Sequence, residues 1–172
     1  MDLKGKKALV FGGTSGIGRA TVEQLAARGA TVIAISRNPD KSDLSLENVT
    51  LAKCDVRDED TLQTLFAELA PFDILISAAT GGSRAAGPFL EMDMQGYRGS
   101  FDKLWGYTNV VRYGAQHLSK PGNIVLVSGS PARKCGPGQI ALSSVGGAVE
   151  AFVRGVAPEL APKRINVVSP GL

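Results

Sequence analysis

Short apolar runs alternate along this chain with longer stretches of helical spacing. Ala8 to Phe11, Thr31 to Ile35, Val49 to Cys54, Phe72 to Ser77, Asn123 to Ser128 and Arg164 to Val168 read as six strands. Their near-continuous apolarity suits strands covered on both faces. Between them lie amphipathic segments. Arg19 to Arg28 places Ala20, Val22, Leu25 and Ala26 at helical spacing, and Glu59 to Ala70 places Leu62, Leu65, Phe66 and Leu69 on one face. Tyr97 to Leu118 reads as one long helix with Phe101, Leu104, Trp105, Thr108, Val111 and Ala115 on one stripe, a core or subunit seam. Its Gly106, Val110 and Gly114 form a neighbouring face for close packing. Gln139 to Leu160 is the last helix, with Pro158 near its end. Its Gly146-Gly147 pair predicts close approach to a neighbour, at a cost of ~1 kcal/mol per glycine. Gly29, Pro71 and Lys120-Pro121-Gly122 punctuate the pattern, Asn38 to Glu47 reads as a loop or a very short helix, and Gly81 to Gly96 reads as a loop. Strand-helix alternation of this kind predicts an α/β fold. It would be a doubly wound parallel sheet of about six strands, with right-handed crossovers and helices on both faces. The expected strand order is 3-2-1-4-5-6, with a ligand crevice at the switch point between strands 1 and 4.

The first strand runs straight into Gly12-Gly13-Thr14-Ser15-Gly16-Ile17-Gly18. Glycines let a ligand approach the backbone closely, and the free N–H groups of the helix that follows would face an anion. This is the chemistry of a phosphate or pyrophosphate cradle. The spacing is Gly-x-x-x-Gly-x-Gly rather than the commoner Gly-x-Gly-x-x-Gly, and a bare strand-helix turn is the alternative. The second strand ends at Ser36-Arg37-Asn38, where an adenosine ribose lies in such a fold. An acid there suits the 2′-hydroxyl of NAD, and an arginine suits the 2′-phosphate of NADP. Arg37 therefore points to NADP(H), against the alternative of a solvated surface arginine.

Composition narrows the class. A chain of 172 residues, 44% hydrophobic and 20% charged, fits one domain with a sizeable core. The net charge of +3 is scattered, so nucleic acid and membrane partners are not expected. Cys54 and Cys135 make no disulfide framework and no metal site is expected. The N-terminus runs directly into a strand, and no apolar run approaches the ~18 residues of a membrane helix. A cytoplasmic protein is the expectation.

The glycine loop resembles the cofactor loop of the short-chain dehydrogenase/reductase family, Thr-Gly-x-x-x-Gly-Ile-Gly. Phe11 takes the threonine position, and Gly12, Gly16, Ile17 and Gly18 match as they stand. The resemblance implies a Rossmann fold spanning the chain, with Thr14 and Ser15 also in the cradle. It implies that Asp55-Val56 contacts the adenine ring, although Asp55 could also be a plain turn residue. Phe72 to Thr80 resembles the family's Asp-Ile-Leu-Val-Asn-Asn-Ala-Gly. Here the two asparagines are lost, while Ala78 and Ala79 keep the small side chains beside the ribose. Ser169-Pro170-Gly171 resembles the Pro-Gly turn beside the nicotinamide. Family members normally continue into a helical lid and a seventh strand; the sequence stops at Leu172 before either. It is read as a domain without a lid or as a fragment.

Carbonyl reduction in that family uses Ser, Tyr and Lys, with an Asn supporting a water chain. By register, the Tyr falls on Leu142, the Lys on Gly146, the Ser on Gly129 between Ser128 and Ser130, and the Asn on Lys103. All four usual groups are absent. The sequence is similar to a divergent bacterial branch of oxidoreductases in the family, which lacks Tyr-x-x-x-Lys and carries a lysine at the asparagine position. Lys103 would then hold the ribose or polarise a carbonyl, and Ser128 or Ser130 would donate a hydrogen bond to substrate. The alternatives are a solvated lysine and structural serines.

Two functions follow. One is an NADP(H)-dependent oxidoreductase acting on a small carbonyl or alcohol with a rearranged site. The other is a catalytically silent NADP(H)-binding protein, a redox sensor or partner subunit. The Phe101/Leu104/Trp105 stripe and the Gly146-Gly147 helix lie where the resemblance implies a dimer seam, and strand six would be an exposed edge, so a homodimer or homotetramer is expected.

Overall fold

The computed structural model describes residues 2–80 and 84–171. The predicted exit-loop residues Gly81 and Gly82 lie outside them. Six strands form one sheet: β1 (Lys7–Phe11), β2 (Thr31–Ser36), β3 (Val49–Lys53), β4 (Phe72–Ser77), β5 (Leu118–Val127) and β6 (Arg164–Val168). They stand in the order β3-β2-β1-β4-β5-β6, as expected, and every pairing is parallel. Leu9 pairs with Ile33 on one side and Leu75 on the other.

The period-2 geometry of the strands sorts the core into two layers. Ala8, Val10, Val32 and Ala34 face α1 (Gly16–Ala27), which contributes Val22 and Ala26. Leu9, Phe11, Ile33, Ile35, Leu75, Ile124 and Leu126 face the other way. They pack against α2 (Glu59–Leu69), α4 (Asp102–Gly114) and α5 (Ile140–Leu160). Side chains of this size, fully removed from water, each contribute roughly 1.5–3 kcal/mol. Gly114 lets α4 close on Phe66 and Leu75, where a Cβ would stand 2.7 Å from the phenyl ring. His117 ends the same segment, stacked on Phe66 at 6.5 Å between centroids.

Four details depart from the sequence reading. First, the long helix expected over Tyr97 to Leu118 is two helices, α3 (Met94–Ser100) and α4, meeting at Phe101. Asp93 caps the first by accepting from the backbone N–H groups of Gln95 and Gly96, a start signal three residues upstream of the expected one. Within the expected stripe, Val111 and Ala115 are buried and Trp105 is 60% exposed. Second, β5 begins at Leu118. The register jumps from Phe72↔Leu118 to Ile74↔Asn123, so Lys120-Pro121-Gly122 forms an irregularity within the strand. Third, α5 is long and apolar enough to cross a membrane by length and composition. In the structure it buries Val149 and Val153 in the core beneath the sheet and turns Ala141 and Val145 to the cavity. Fourth, the Gly146-Gly147 pair is asymmetric. A Cβ at Gly146 would meet Ala132 Cβ at 2.9 Å, whereas one at Gly147 would meet nothing within 4 Å.

Candidate active site

The carboxyl ends of the strands open into one cavity of about 580 Å³. It runs from the end of β2, across the β1/β4 switch point, to the N-terminal half of α5. The cradle is built by backbone. Gly12 holds φ +75°, and a Cβ there would stand 2.8 Å from Ala79 N. A Cβ at Gly18 would stand 2.0 Å from Gly12 O. Only glycine permits this closeness. Thr14, Ser15, Gly16, Ile17 and Gly18 all line the cavity. Ser15 is extended and makes no side-chain cap, and α1 has no acidic residue in its first turn. Its positive end is thus left for an external anion. Helix α1 starts at Gly16, earlier than the apolar spacing suggested, because glycines carry no periodic signal.

At the β2 end, Arg37 is exposed and lines the cavity. Beside it the Ser36 hydroxyl is buried with no hydrogen-bond partner among the described residues. A buried hydroxyl without a partner is costly, and an anionic oxygen would satisfy it. Ser36 and Arg37 together fit a ribose 2′-phosphate. Sequence reasoning passed over Ser36 because a serine at a strand end has no distinguishing pattern.

Asp55 and Val56 line the neighbouring wall. Both Asp55 oxygens accept from Arg57, at 3.0 Å from Nη2 and 3.2 Å from Nε, and Arg57 also reaches Asp102 at 3.0 Å. These hydrogen bonds hold the Asp55 carboxyl below its ordinary range. Its carboxylate still has lone pairs for a second donor such as an amino group. Val56 fixes α4: a Cβ on Gly106 would meet Val56 Cγ2 at 2.4 Å, and Asn109 Nδ2 donates to Val56 O at 3.2 Å. Cys54 also faces the cavity, but burial pushes its thiol up to about 11, so it is no nucleophile near neutral pH. Ala78 and Ala79 line the switch point, where Ala78 N donates to Phe11 O at 2.9 Å.

At the opposite end, α4 carries Lys103 into the cavity. Its Nζ donates to Ser128 O at 3.3 Å and stands 5.5 Å from the centroid of the Tyr107 ring. Burial, with the like charge of Arg84 added, pulls Lys103 down to about 8. Such a group exchanges a proton near neutral pH. Tyr107 also lines the cavity, but its hydroxyl donates to Val127 O at 2.8 Å and burial raises its pKa. Its proton is committed to the backbone.

Ser128, Gly129 and Ser130 follow β5 into the same end, facing Leu142 and Gly146 of α5. Ser128 does not offer a free donor, as sequence reasoning had expected. Its hydroxyl is buried and donates to Gly146 O at 3.2 Å. Ser130 keeps its side chain at the cavity wall, while its backbone N–H donates to Pro170 O at 2.9 Å. Pro170 and Gly171 close the floor. The loop before them is anchored by Ser169, whose hydroxyl donates to Glu150 at 2.6 Å. Glu150 also accepts from Arg133 Nε at 3.1 Å. Sequence reasoning missed that buried acid, and also Arg84, which lines the cavity from the β4 exit segment.

A profile of the short chain dehydrogenase family matches residues 6–172. Carbonyl reductase (NADPH) 2 of Sus scrofa is 31% identical over 176 residues, covering 98% of this chain and 71% of that protein. A small-chain dehydrogenase solved in complex with NADPH superposes with a TM-score of 0.83 at 33% identity, over 97% of this chain and 70% of the other. A short-chain type dehydrogenase/reductase from Mycobacterium ulcerans superposes at 0.91 and 26% identity, over 100% and 69%. With the six-strand order and the glycine cradle, these likenesses establish that the chain belongs to the short-chain dehydrogenase family.

Proposed function

We propose that the protein is an NADP(H)-dependent oxidoreductase acting on a small carbonyl or alcohol, with Lys103 as its acid and base. The observation that carries this reading is the placement of Lys103 Nζ in the cavity at 3.3 Å from Ser128 O, with its pKa drawn to about 8. The names of the carbonyl reductase and of the NADPH complex support the cofactor and the substrate class. NADPH, when bound, supplies hydride. The chain's own residues do the rest. The α1 terminus and Gly12 to Gly18 hold the diphosphate, Ser36 and Arg37 hold the 2′-phosphate, and Asp55 and Val56 border the adenine. Lys103 donates a hydrogen bond and then its proton to the substrate oxygen as charge develops there, and recovers the proton from solvent. Ser130 steadies the same oxygen.

The second reading, a silent NADP(H)-binding protein, is favoured by Leu142 and Gly146, which line the cavity opposite Ser128 and Ser130 and cannot transfer a proton. Titration of NADPH and NADH by calorimetry, followed by an NADPH-oxidation screen over carbonyl compounds, separates the two. Binding with turnover supports the oxidoreductase. Binding without turnover of any compound supports the silent protein.

The chain is also proposed to work as a homodimer or homotetramer in the cytoplasm. Trp105, Phe89, Leu90 and Met94 expose large apolar side chains on the α3/α4 side, and β6 pairs only with β5 among the described residues. The free thiols of Cys54 and Cys135 suit a reducing compartment. Light scattering at micromolar concentration tests the assembly, and a clean monomer refutes it.

A further inference from the structure

Lys103 and Arg84 both line the cavity, and no carboxylate pairs with either among the described residues. Among the described residues Asp55 is the one acid that lines the cavity, and Arg57 already donates to both of its oxygens. Lys103 has only a backbone carbonyl and the face of the Tyr107 ring. Arg84 comes from a different element, the β4 exit segment, and lies close enough for its charge to bear on both Lys103 and Tyr107. Arg84 is exposed and Lys103 half-buried, so solvent weakens their mutual repulsion without abolishing it, and an anion that met both would relieve it. Lys103 is a compact point charge, whereas Arg84 offers a planar fork that matches two carboxylate oxygens.

We propose that Arg84 and Lys103 form an anion-binding subsite, and that the substrate is an oxo acid or hydroxy acid whose carboxylate Arg84 holds while Lys103 serves the reacting oxygen. This rests on the oxidoreductase reading and names the substrate class of that same site. The shared chemistry, an anionic oxygen group, has a second source in the cofactor's phosphates. The cradle at Gly12 to Gly18 already provides for those from the other wall.

The test measures binding, so it does not depend on turnover. Protein saturated with NADP⁺ is titrated by calorimetry with 2-oxohexanoate and with its methyl ester, and NADPH affinity is measured in parallel. The acid is expected to bind at least about tenfold tighter than the ester, as for one charge-assisted hydrogen bond. Arg84→Gln should remove that advantage, Arg84→Lys should recover most of it, and NADPH affinity should stay within about twofold. Equal binding of acid and ester, or failure of both to bind, overturns the subsite and leaves the NADP(H) reading standing. A loss in Arg84→Gln confined to NADPH assigns the cation to a cofactor phosphate and also overturns it. If NADPH itself does not bind, the functional reading and the subsite fall together.

Discussion

Ser128 and Gly146 close on each other at the floor of the cavity. The Ser128 hydroxyl donates to the Gly146 carbonyl at 3.2 Å, and a Cβ at position 146 would stand 3.0 Å from that same oxygen. Position 146 is therefore walled in by its neighbours as well as bare of a side chain. Ala132 Cβ, at 2.9 Å from the same point, completes the wall.

That wall gives a paired prediction. Gly146→Ala should destabilise the protein by about 1–3 kcal/mol, because the facing Ala132 methyl is fixed to the backbone and has no other rotamer to adopt. Gly147→Ala, with open space around it, should stabilise by roughly 0.5–1 kcal/mol through helix propensity. Urea denaturation reads both; effects of the same sign would contradict the packing described.

Lys103 should cost stability. Its pKa falls from an unfolded value of about 10.4 to about 8, so the unfolded chain binds more protons between those values and stability rises with pH across that window. Lys103→Met should therefore stabilise the free protein near pH 7 by up to about 3 kcal/mol, read as a higher melting temperature, and flatten the rise with pH. A lower melting temperature in Lys103→Met would mark the lysine as a structural support.

Cofactor choice should reside in Ser36 and Arg37. NADPH is expected to bind at least several-fold tighter than NADH, and Arg37→Asp should reverse the order. Ser36→Ala should cost NADPH about 1 kcal/mol and leave NADH nearly untouched, since only the 2′-phosphate would meet that hydroxyl. Equal affinities for the two cofactors in the parent protein would remove the assignment.

Glu150 ties the Pro170-Gly171 floor to α5 through Ser169, and its carboxyl is held below its ordinary range, first by Ser169 and then by Arg133. A lowered acid contributes stability that is full above its unfolded pKa of about 4.3 and is lost as pH falls through its folded value. Glu150→Gln should cost about 1–2 kcal/mol at pH 7 and nothing once the parent carboxylate is protonated. A penalty that persists unchanged at acid pH would show that shape, not charge, is what Glu150 supplies.

The legible part of this protein was the part written in repeating pattern. The strands announced themselves by apolar runs, and their alternation with helices led to the sheet order. The glycine spacing located the cradle, because only glycine tolerates a Cβ position 2.0 Å from Gly12 O. The register of Gly106 brought Lys103 to the cavity. What stayed hidden has no periodic signature. The early start of α3 at its Asp93 cap and the break at Phe101 leave no mark in the apolar spacing. Ser36 and Arg84 matter through what surrounds them in space. Gly146 and Gly147 look alike in sequence and differ only in that one faces Ala132 and the other open space.

Lys103 stands as the proposed proton donor of this site. That role is tested most directly by the pH dependence of NADPH oxidation in the parent and in Lys103→Ala, with a carbonyl substrate found in the screen. Loss of a charge-assisted hydrogen bond worth roughly 1.5–3 kcal/mol predicts a fall of about tenfold or more in kcat/KM. The parent rate should decline as pH rises through about 8, and the variant should lack that decline. Turnover in Lys103→Ala equal to the parent's, with the same pH profile, would contradict the account.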